Sequence, residues 1–304
     1  MTAPAAAVVF AYHGFGTAGL DALEAAGVVI KRIFTHADAP GEHIWWRSVA
    51  SWGAERGIPV LLDAELADLA VQALIAGDNP DFLFSFYFRK MIPEAVLALA
   101  SRGCFNLHGS LLPKFRGRAP VNWQLVEGVH ESGLTLHRMV RKADAGDIIA
   151  QQAVNVHPDQ DALGLTRQLL AIAPQLLGTA IAGLVAGTLS GQPQDHTQAT
   201  VFSGRKPADG AIDWRWPARR VHDLVRAVAP PWPGAFSRFA DGRQLLVWRT
   251  VVSAENGDFG APGTILSGDR IACGQGAVTL LAWSLPGETP VALTPGSYLM
   301  VYTL

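Results

Sequence analysis

Short apolar runs alternate with helical stretches through the first half of the chain. The clearest runs are VVFAY (Val8 to Tyr12), VVIKRIFTH, IPVLL, DFLFSFYF (Asp81 to Phe88) and CFNLHGS. Helix-like stretches such as GLDALEAAG, ELADLAVQALIAG and PEAVLALASRG separate them. Strands that alternate with helices are typical of a parallel sheet covered by helices. The pattern therefore predicts an α/β fold whose N-terminal domain is Rossmann-like, with a mostly parallel sheet.

The pattern changes after a long apolar helical region that Pro174 is expected to interrupt. The polar stretch SGQPQDHTQAT has no periodicity, which is typical of a linker. Beyond it, the strand-like runs GAFSRF, QLLVWRTVV, GTILS, RIACG and AVTLLAW are separated by Gly, Asp and Pro turns. This pattern suggests a small β-barrel or sandwich, of which we choose an OB-like β-barrel as the prediction, with domains at residues 1–195 and 196–304.

Composition and charge narrow the class of protein. The 304 residues are 49% hydrophobic and 16% charged, with a formal net charge of -2, which indicates a globular protein and does not favour a general polyanion binder. Cys104 and Cys273 form no CxxC pair, so we predict buried fillers and no disulfide or metal site. The N-terminus lacks a basic region and the apolar runs are short or broken. We therefore expect no signal peptide, no membrane partner and a cytoplasmic location.

Polar side chains follow one another where the fifth predicted strand ends. Asn106 and His108 lie at positions i and i+2, so both point to one face of the strand. Ligands of open α/β sheets bind at the carboxyl ends of the strands. A neutral imidazole can act as a general base, an amide N–H can stabilise an oxyanion, and a carboxylate such as Asp144 would raise the pKa of the imidazole. These residue types suit nucleophilic attack on a carbonyl carbon.

A protein nucleophile does not accompany these residues. Ser110 lies in HGS, which is not a GxSxG elbow, so we expect the substrate to supply the nucleophile, for instance as an amine. Each residue also has a structural interpretation: His108 as a satisfied core histidine, Asn106 as a turn former and Asp144 as an Asx-turn residue. Contact between Asp144 and His108 is a prediction.

Two motifs resemble the signature of the 10-formyltetrahydrofolate-dependent formyltransferases: FNLHGSLLPKFRGRAP and GLTLHRMVRKADAGDIIAQ. The resemblance extends through VVFAYHGFG, IFTHADAPGE, FSFYFRKMIP, VFSGRKPADGAIDW and VRAVAPPWPGAFS, so it covers most of the chain. Within the family, FSFYFRKMI and RGRAP are similar to the branch that formylates UDP-4-amino-4-deoxy-L-arabinose. That branch is the formyltransferase half of a bifunctional enzyme, and it implies lipid A modification and antibiotic resistance.

The resemblance implies a role for each site residue. The sugar amine would attack the formyl carbon of 10-formyltetrahydrofolate, while His108 takes the amine proton, Asn106 stabilises the oxyanion and Asp144 holds His108 and raises its pKa. No metal is implied. For Met91 and Ile92 a place in the core is the alternative interpretation. The residues implied to bind the folate are Lys90, Met91, Ile92, Arg118, Val140, Arg141, Lys142 and Ala143.

Other residues suit binding of charged or planar groups. The guanidinium groups of Arg116 and Arg118 suit a phosphate or a carboxylate, although Arg116 could equally be a solvated loop residue. The Gly-rich turn in YHGFG matches a dinucleotide fingerprint weakly, so we predict a Rossmann-like turn without NAD. His13 could face the cleft or serve the structure. The aromatic candidates for packing against a sugar or a base, or in the core, are Trp123, Tyr87 and Trp232.

Two alternative functions stay open. Methionyl-tRNA formyltransferase would use the same chemistry, but ten basic and eight acidic residues from His196 onward do not favour a nucleic-acid partner. A non-catalytic module that binds folate or a nucleotide sugar is the second, and the intact set of Asn106, His108 and Asp144 argues against it. The expected partner is a small nucleotide-linked aminosugar.

Overall fold

The computed structural model describes residues 3–38, 44–286 and 293–300. Parts of the IFTHADAPGE stretch and of the predicted C-terminal domain lie outside these residues. The strands are β1 (Ala6–Ala11), β2 (Val29–Thr35), β3 (Val60–Leu62), β4 (Phe82–Phe86), β5 (Gly103–His108), β6 (Arg116–Gly117), β7 (Glu131–Arg138), β8 (Ile148–Asn155), β9 (Val201–Phe202), β10 (Ala235–Arg238), β11 (Gln244–Ala254), β12 (Arg270–Ala272) and β13 (Ala277–Ser284). The α-helices are α1 (His13–Ala25), α2 (Val49–Glu55), α3 (Leu69–Gly77), α4 (Glu94–Leu97), α5 (Pro120–Val126), α6 (Ala162–Ala186) and α7 (Ala218–Ala227).

The chain forms two compact units that interleave along the sequence. The first unit comprises Met1–Gly117, Ser132–Val154 and Arg167–Phe202. The second comprises Arg118–Glu131, Asn155–Thr166 and Ser203–Leu304. The domain boundary between residues 195 and 196 stays a prediction.

The first unit contains a seven-stranded sheet in the order β3-β2-β1-β4-β5-β7-β8. The pairs among β1 to β5 are parallel, and β7 runs antiparallel to β5. Every residue of the central strand β4 is buried, as expected of a strand covered on both faces. Phe84 of this strand packs with Phe105 of β5, and Phe10 stacks on Phe34; all four rings are buried. The mostly parallel sheet and its α/β class are as predicted.

Local capping explains where the helices differ from the predicted ones. The side chain of Asp68 accepts a hydrogen bond from the backbone N–H of Ala70, so α3 begins at Leu69 and the preceding residues of ELAD stay outside it. The helix expected in PEAVLALASRG is only the four residues of α4. Pro120 lies in the first turn of α5, where its missing N–H costs no hydrogen bond.

Helix α6 is continuous through Pro174, so the expected interruption is wrong. Buried residues recur every four positions at Leu165, Leu169, Ala173 and Leu177, and this apolar face offsets the one backbone hydrogen bond that proline removes. Among the described residues, α6 alone is long and apolar enough to cross a membrane. Its mean hydropathy is 1.9, and 39% of the 18-residue stretch that would span the membrane is buried in the protein. A core helix passes the same test, so this is weak evidence for a membrane span.

The second unit is built on a four-stranded antiparallel sheet in the order β10-β11-β13-β12. Helix α7 packs against β11, and the indole of the fully buried Trp214 donates to the Ser237 hydroxyl at 2.9 Å. The run GTILS contributes only the isolated bridges of Thr264 and Ile265. The predicted fold class is confirmed: an α/β unit with a mostly parallel sheet, together with a small antiparallel unit of the kind found in small barrels.

Candidate active site

Strands β5 and β7 bring the predicted pair beside two polar residues of the opposite strand. The antiparallel register sets Asn106 opposite His137 and His108 opposite Thr135. Cross-strand neighbours in such a pair share one face of the sheet. This register places two imidazoles and an amide together at the carboxyl end of β5, where ligands of such sheets bind.

The hydrogen bonds of His108 define which nitrogen can take up a proton. Its ring is buried, and Nε2 lies 2.7 Å from the carbonyl oxygen of Phe115. Because a carbonyl can only accept, the neutral ring carries its proton on Nε2 and a lone pair on Nδ1. Nδ1 lies 3.6 Å from Oδ1 of Asp144. A proton taken up at Nδ1 would therefore lie against a carboxylate.

The pKa of His108 is lowered from its ordinary value. Burial lowers it, whereas the Asp144 carboxylate and the Phe115 carbonyl act in the opposite direction. Asp144 thus acts in the predicted direction, but the expectation of a raised pKa is wrong because desolvation of the imidazolium outweighs the carboxylate. The lowered pKa keeps the ring neutral near pH 7, so it is available as a base.

Asp144 is an ionised carboxylate that faces two imidazoles. Its Oδ2 accepts a hydrogen bond from the N–H of Gly117 at 2.8 Å, and its Oδ1 lies 3.3 Å from Nε2 of His137. Burial alone would raise the pKa of this carboxyl group, but His108 and His137, when either ring is protonated, and the Gly117 N–H bring it well below its ordinary value. The structure thus brings Asn106, His108 and Asp144 into one cluster.

Two glycines let the chain approach closely around Asp144. Gly117 has a φ of 101°, and a Cβ there would lie 2.1 Å from the Phe202 carbonyl oxygen. A Cβ on Gly146 would lie 2.1 Å from the carbonyl oxygen of Arg138. Because real Cβ atoms do not approach this closely, any larger residue would displace the backbone that holds the carboxylate.

His137 is a site residue that the sequence interpretation missed. Its Nδ1 donates to the Arg138 carbonyl at 2.9 Å, so in the neutral ring Nε2 accepts from Nδ2 of Asn106 at 3.1 Å. The amide of Asn106 keeps a second N–H for another acceptor. A buried polar residue within the apolar strand GLTLHRMV was the available signal, but its meaning depends on the register with β5.

The loop between β5 and β6 is held by two threonines. Oγ1 of Thr135 donates to the Ser110 carbonyl at 2.6 Å and accepts from the Leu112 N–H at 3.1 Å. Oγ1 of Thr200 accepts from the N–H of Phe115 at 2.8 Å. These contacts hold the Phe115 carbonyl in place as the partner of His108.

Arg116 is not a solvated loop residue, because only 2% of it is exposed. Its Nη2 donates to Oε1 of Gln194 at 2.6 Å and to Nδ1 of His196 at 2.9 Å. A guanidinium with these contacts supports the fold locally, so the predicted phosphate-binding use of Arg116 has no support.

The three residues predicted to bind folate after β4 differ in exposure. Met91 is 68% exposed, which excludes a core role, whereas Ile92 packs against the hydrophobic core. Nζ of Lys90 donates to the Asp63 carbonyl at 3.2 Å and pairs with Glu65. Met91 therefore presents a side chain that a ligand can reach.

The second predicted folate segment precedes Asp144. Val140, Arg141, Lys142 and Ala143 are all exposed. Arg118 is exposed as well, and it belongs to the second unit. The ligand contacts of these five residues stay predictions.

A second buried histidine lies after strand β2. Nδ1 of His36 donates to Oδ1 of Asp63 at 3.1 Å, and its Nε2 accepts from the N–H of Arg89 at 3.0 Å. Its ring stacks on Phe88 at 4.3 Å. Burial lowers the pKa of His36, although Asp63 opposes this effect. Both nitrogens of His36 are thus used within the protein.

His13 and Tyr87 lie in an aromatic cluster, whereas Trp123 lies elsewhere. His13 is buried, with its ring centroid 4.0 Å from that of Trp46 and 4.7 Å from that of Tyr87, whose side chain is exposed. His13 also lines a cavity of about 220 Å³ together with Tyr12 and Trp46. Trp123 donates its indole N–H to the Ser203 carbonyl at 2.9 Å. These contacts support a structural role for His13 and Trp123.

Both cysteines are buried, as predicted. Burial raises the pKa of the Cys104 thiol to about 11 and that of Cys273 to about 12. Neither thiol is a nucleophile at neutral pH, because only the thiolate reacts. Within the described part of the chain, no group of three or more His, Cys, Asp or Glu side chains is arranged to hold a metal ion.

The chain matches two family models, Formyl transferase over residues 17–181 and Formyl transferase, C-terminal domain, over residues 205–294. It therefore belongs to the formyl transferase family, and the predicted enzyme class is confirmed.

Solved structures share the fold at low sequence identity. WlaRD, a sugar 3N-formyl transferase solved with dTDP and 5-N-formyl-THF, has 15% identity and a TM-score of 0.69, covering 95% of this chain and 100% of that one. The N-formyltransferase of Helicobacter canadensis, solved with folinic acid and dTDP-3-aminofucose, has 16% identity and a TM-score of 0.69, covering 91% and 99%. HypX of Aquifex aeolicus, in complex with tetrahydrofolic acid, has 17% identity and a TM-score of 0.62, covering 92% and 44%.

Proposed function

We propose that this protein transfers a formyl group from 10-formyltetrahydrofolate to the amine of a nucleotide-linked aminosugar. One observation carries the proposal: Asn106 and His108 of β5 and Asp144 of a separate segment form one cluster in which a histidine lone pair faces a carboxylate. The solved relatives that bind folates and dTDP-sugars support the choice of donor and acceptor.

The residues of the cluster fit a formyl donor. One N–H of the Asn106 amide donates to His137, and the second is available to an oxygen that gains negative charge. The formyl oxygen of 10-formyltetrahydrofolate would be such an oxygen, because it gains negative charge when an amine attacks the formyl carbon. Each predicted folate segment has an exposed apolar side chain, Met91 in one and Val140 in the other. We therefore assign Lys90 to Ile92 and residues 140–143 to folate binding. Arg118 is proposed to bind a phosphate or carboxylate group.

The protein's own groups would act in the following way. His108 takes the amine proton at Nδ1 as the new C–N bond forms, and Asn106 donates to the oxyanion. The imidazolium then lies between the Phe115 carbonyl and the Asp144 carboxylate, and both favour the charged ring. These interactions strengthen as charge develops, which is the requirement for lowering a barrier. The same proton is available to the leaving nitrogen of the donor.

UDP-4-amino-4-deoxy-L-arabinose is the acceptor that we propose first. The FSFYFRKMI and RGRAP motifs support it, and lipid A modification in the cytoplasm with consequent polymyxin resistance would follow. The alternative acceptors are dTDP-linked 3-aminosugars and methionyl-tRNA. We also propose that the catalytic and OB-like domains divide near residue 195.

The test is formyl transfer from 10-formyltetrahydrofolate measured with each acceptor separately. We expect kcat/KM to be highest with UDP-4-amino-4-deoxy-L-arabinose. Faster transfer to a dTDP-linked aminosugar would support the proposed reaction but would replace the proposed acceptor. Transfer to methionyl-tRNA alone would overturn the aminosugar proposal, and no transfer to any amine would leave the binding module as the better explanation.

A further inference from the structure

The stretch predicted to be a linker places one glutamine inside the first unit. Gln194 is only 6% exposed. Its amide nitrogen donates to two main-chain oxygens, those of Asp144 at 2.9 Å and Gly146 at 2.6 Å. Because the amide has two N–H groups, both donors of Gln194 are used by the segment that carries Asp144.

The oxygen of the same amide faces Arg116. Nε and Nη2 of Arg116 lie 3.2 Å and 2.6 Å from Oε1 of Gln194. Since a guanidinium only donates and a carbonyl only accepts, the amide oxygen must face Arg116 and the nitrogen must face the two carbonyls. These partners define the orientation of the Gln194 amide. We call this set of hydrogen bonds the Gln194 bridge.

The Gln194 bridge connects the side-chain contact of Asp144 with its main-chain contact. The residue after Arg116 is Gly117, whose N–H donates to the Asp144 carboxylate. Asp144 is therefore held at its side chain by Gly117 and at its main chain by Gln194, and Arg116 links the two contacts. Paired hydrogen bonds between Ile148 and Gln192 align the segment that carries Gln194.

The conformation of Asp144 explains why a tether is needed. Its φ is 52°, in the left-handed region that is unfavourable for residues other than glycine and is kept only where neighbouring contacts hold it. On its N-terminal side, residues 141–143 are exposed and offer little packing. On its C-terminal side, the hydrogen bonds from Gln194 hold the carbonyls of Asp144 and Gly146.

We propose that Gln194, oriented by Arg116, is a positioning residue that keeps the Asp144 carboxylate against His108. This inference rests on the proposed role of His108 as the base. Its effect is on the coupling between Asp144 and His108, which can be measured without any substrate.

The first test is a double-mutant cycle on the His108 pKa, measured by NMR titration of its ring and assigned by the signal lost in His108→Ala. Asp144→Asn should lower this pKa in the parent protein, because a neighbouring negative charge is removed. Gln194→Glu keeps the size and the Arg116 contact but removes both donors. In the Gln194→Glu background, we expect the shift caused by Asp144→Asn to shrink by half or more. His137 is present in all four proteins, so its effect cancels.

The second test is turnover. Gln194→Glu should lower kcat by about tenfold with little change in KM, and it should cause no further loss in the Asp144→Asn background, because the bridge acts through Asp144. Gln198→Glu is the matched control: it makes the same charge change on an exposed residue of the same segment, and parent-like kinetics are expected.

An undiminished Asp144–His108 coupling in a folded Gln194→Glu protein would overturn the proposal, as would losses that simply add. If Gln194→Glu does not fold, Gln194→Met and Arg116→Lys give the same cycle with weaker perturbation of charge. If the parent protein turns over no aminosugar, the proposed function fails, while the pKa cycle still decides the role of Gln194.

Discussion

His108 and His36 are two buried histidines of the first unit with similar surroundings. Each follows or ends a parallel strand, each lies beside an aspartate, and burial lowers the pKa of both. They differ in their lone pairs. The lone pair of His36 accepts the Arg89 N–H, whereas Nδ1 of His108 faces the acceptor oxygen of Asp144. Burial and a neighbouring carboxylate are therefore common to both histidines, and the proposed base differs from His36 in a lone pair that faces an acceptor.

The largest expected difference is in turnover. His108→Ala should lower kcat by roughly 100-fold or more, since a positioned general base contributes at least that much. His36→Ala should leave kcat nearly unchanged at saturating substrates, because its nitrogens serve the fold. Steady-state kinetics on both variants, with circular dichroism to confirm folding, check the pair. Equal losses of kcat would remove the distinction between the two histidines.

The next difference concerns the carboxylates. Asp144 acts to raise the pKa of His108, and the base works in its deprotonated form, so the acid limb of the kcat profile follows that pKa. Asp144→Asn should move this limb to lower pH and reduce kcat by about tenfold or more. Asp63→Asn should change neither the pH of this limb nor kcat. A pH–rate profile in which the limb stays in place would contradict the assignment of Asp144.

A smaller effect is expected in stability. His36→Ala removes the hydrogen bonds of the buried ring to Asp63 and to the Arg89 N–H, together with its stacking on Phe88, which should cost about 1–3 kcal/mol in total. We therefore expect a lower Tm, by several degrees, than for the parent protein. His108→Ala removes one hydrogen bond, to the Phe115 carbonyl, and it also removes the unfavourable approach of the Nδ1 lone pair to the Asp144 carboxylate, so its Tm should fall less. Scanning calorimetry on the two variants measures this, and the reverse order of Tm would refute it.

The smallest effect is the pH dependence of stability. A histidine whose pKa is lower in the folded protein than its unfolded value of about 6.5 contributes stability above that pH, and the contribution is lost as pH falls towards the folded pKa. The parent protein should therefore lose more stability than His36→Ala between pH 7.5 and about 5.5. Denaturant midpoints at the two pH values give the comparison. Identical losses would mean that His36 is not responsible.

Hydrophobic patterning predicted the strands of the large sheet and the class of both units, because burial leaves a periodic trace in the sequence. Asn106 and His108 were predicted because they are near neighbours on one strand. His137 was missed, since its place opposite Asn106 depends on a pairing register that involves distant segments.

Gln194 and Arg116 show a second limit. Both lie in stretches without hydrophobic periodicity, and both side chains are buried through hydrogen bonds, which leave no periodic pattern in the sequence. The general tendency of arginine to be exposed gave the wrong expectation for Arg116. The net pKa of His108 was wrong for a related reason: the depth of burial is a property of the folded chain.

The carbonyl of Phe115 has a consequence for ligand design. Because this carbonyl occupies the Nε2 edge of the His108 ring, the proposed base has only its Nδ1 edge left, and in that role it would meet the acceptor amine on the Nδ1 side. An inhibitor that carries a cationic group towards that edge would meet the Asp144 carboxylate as well, and should bind more tightly than its neutral analogue.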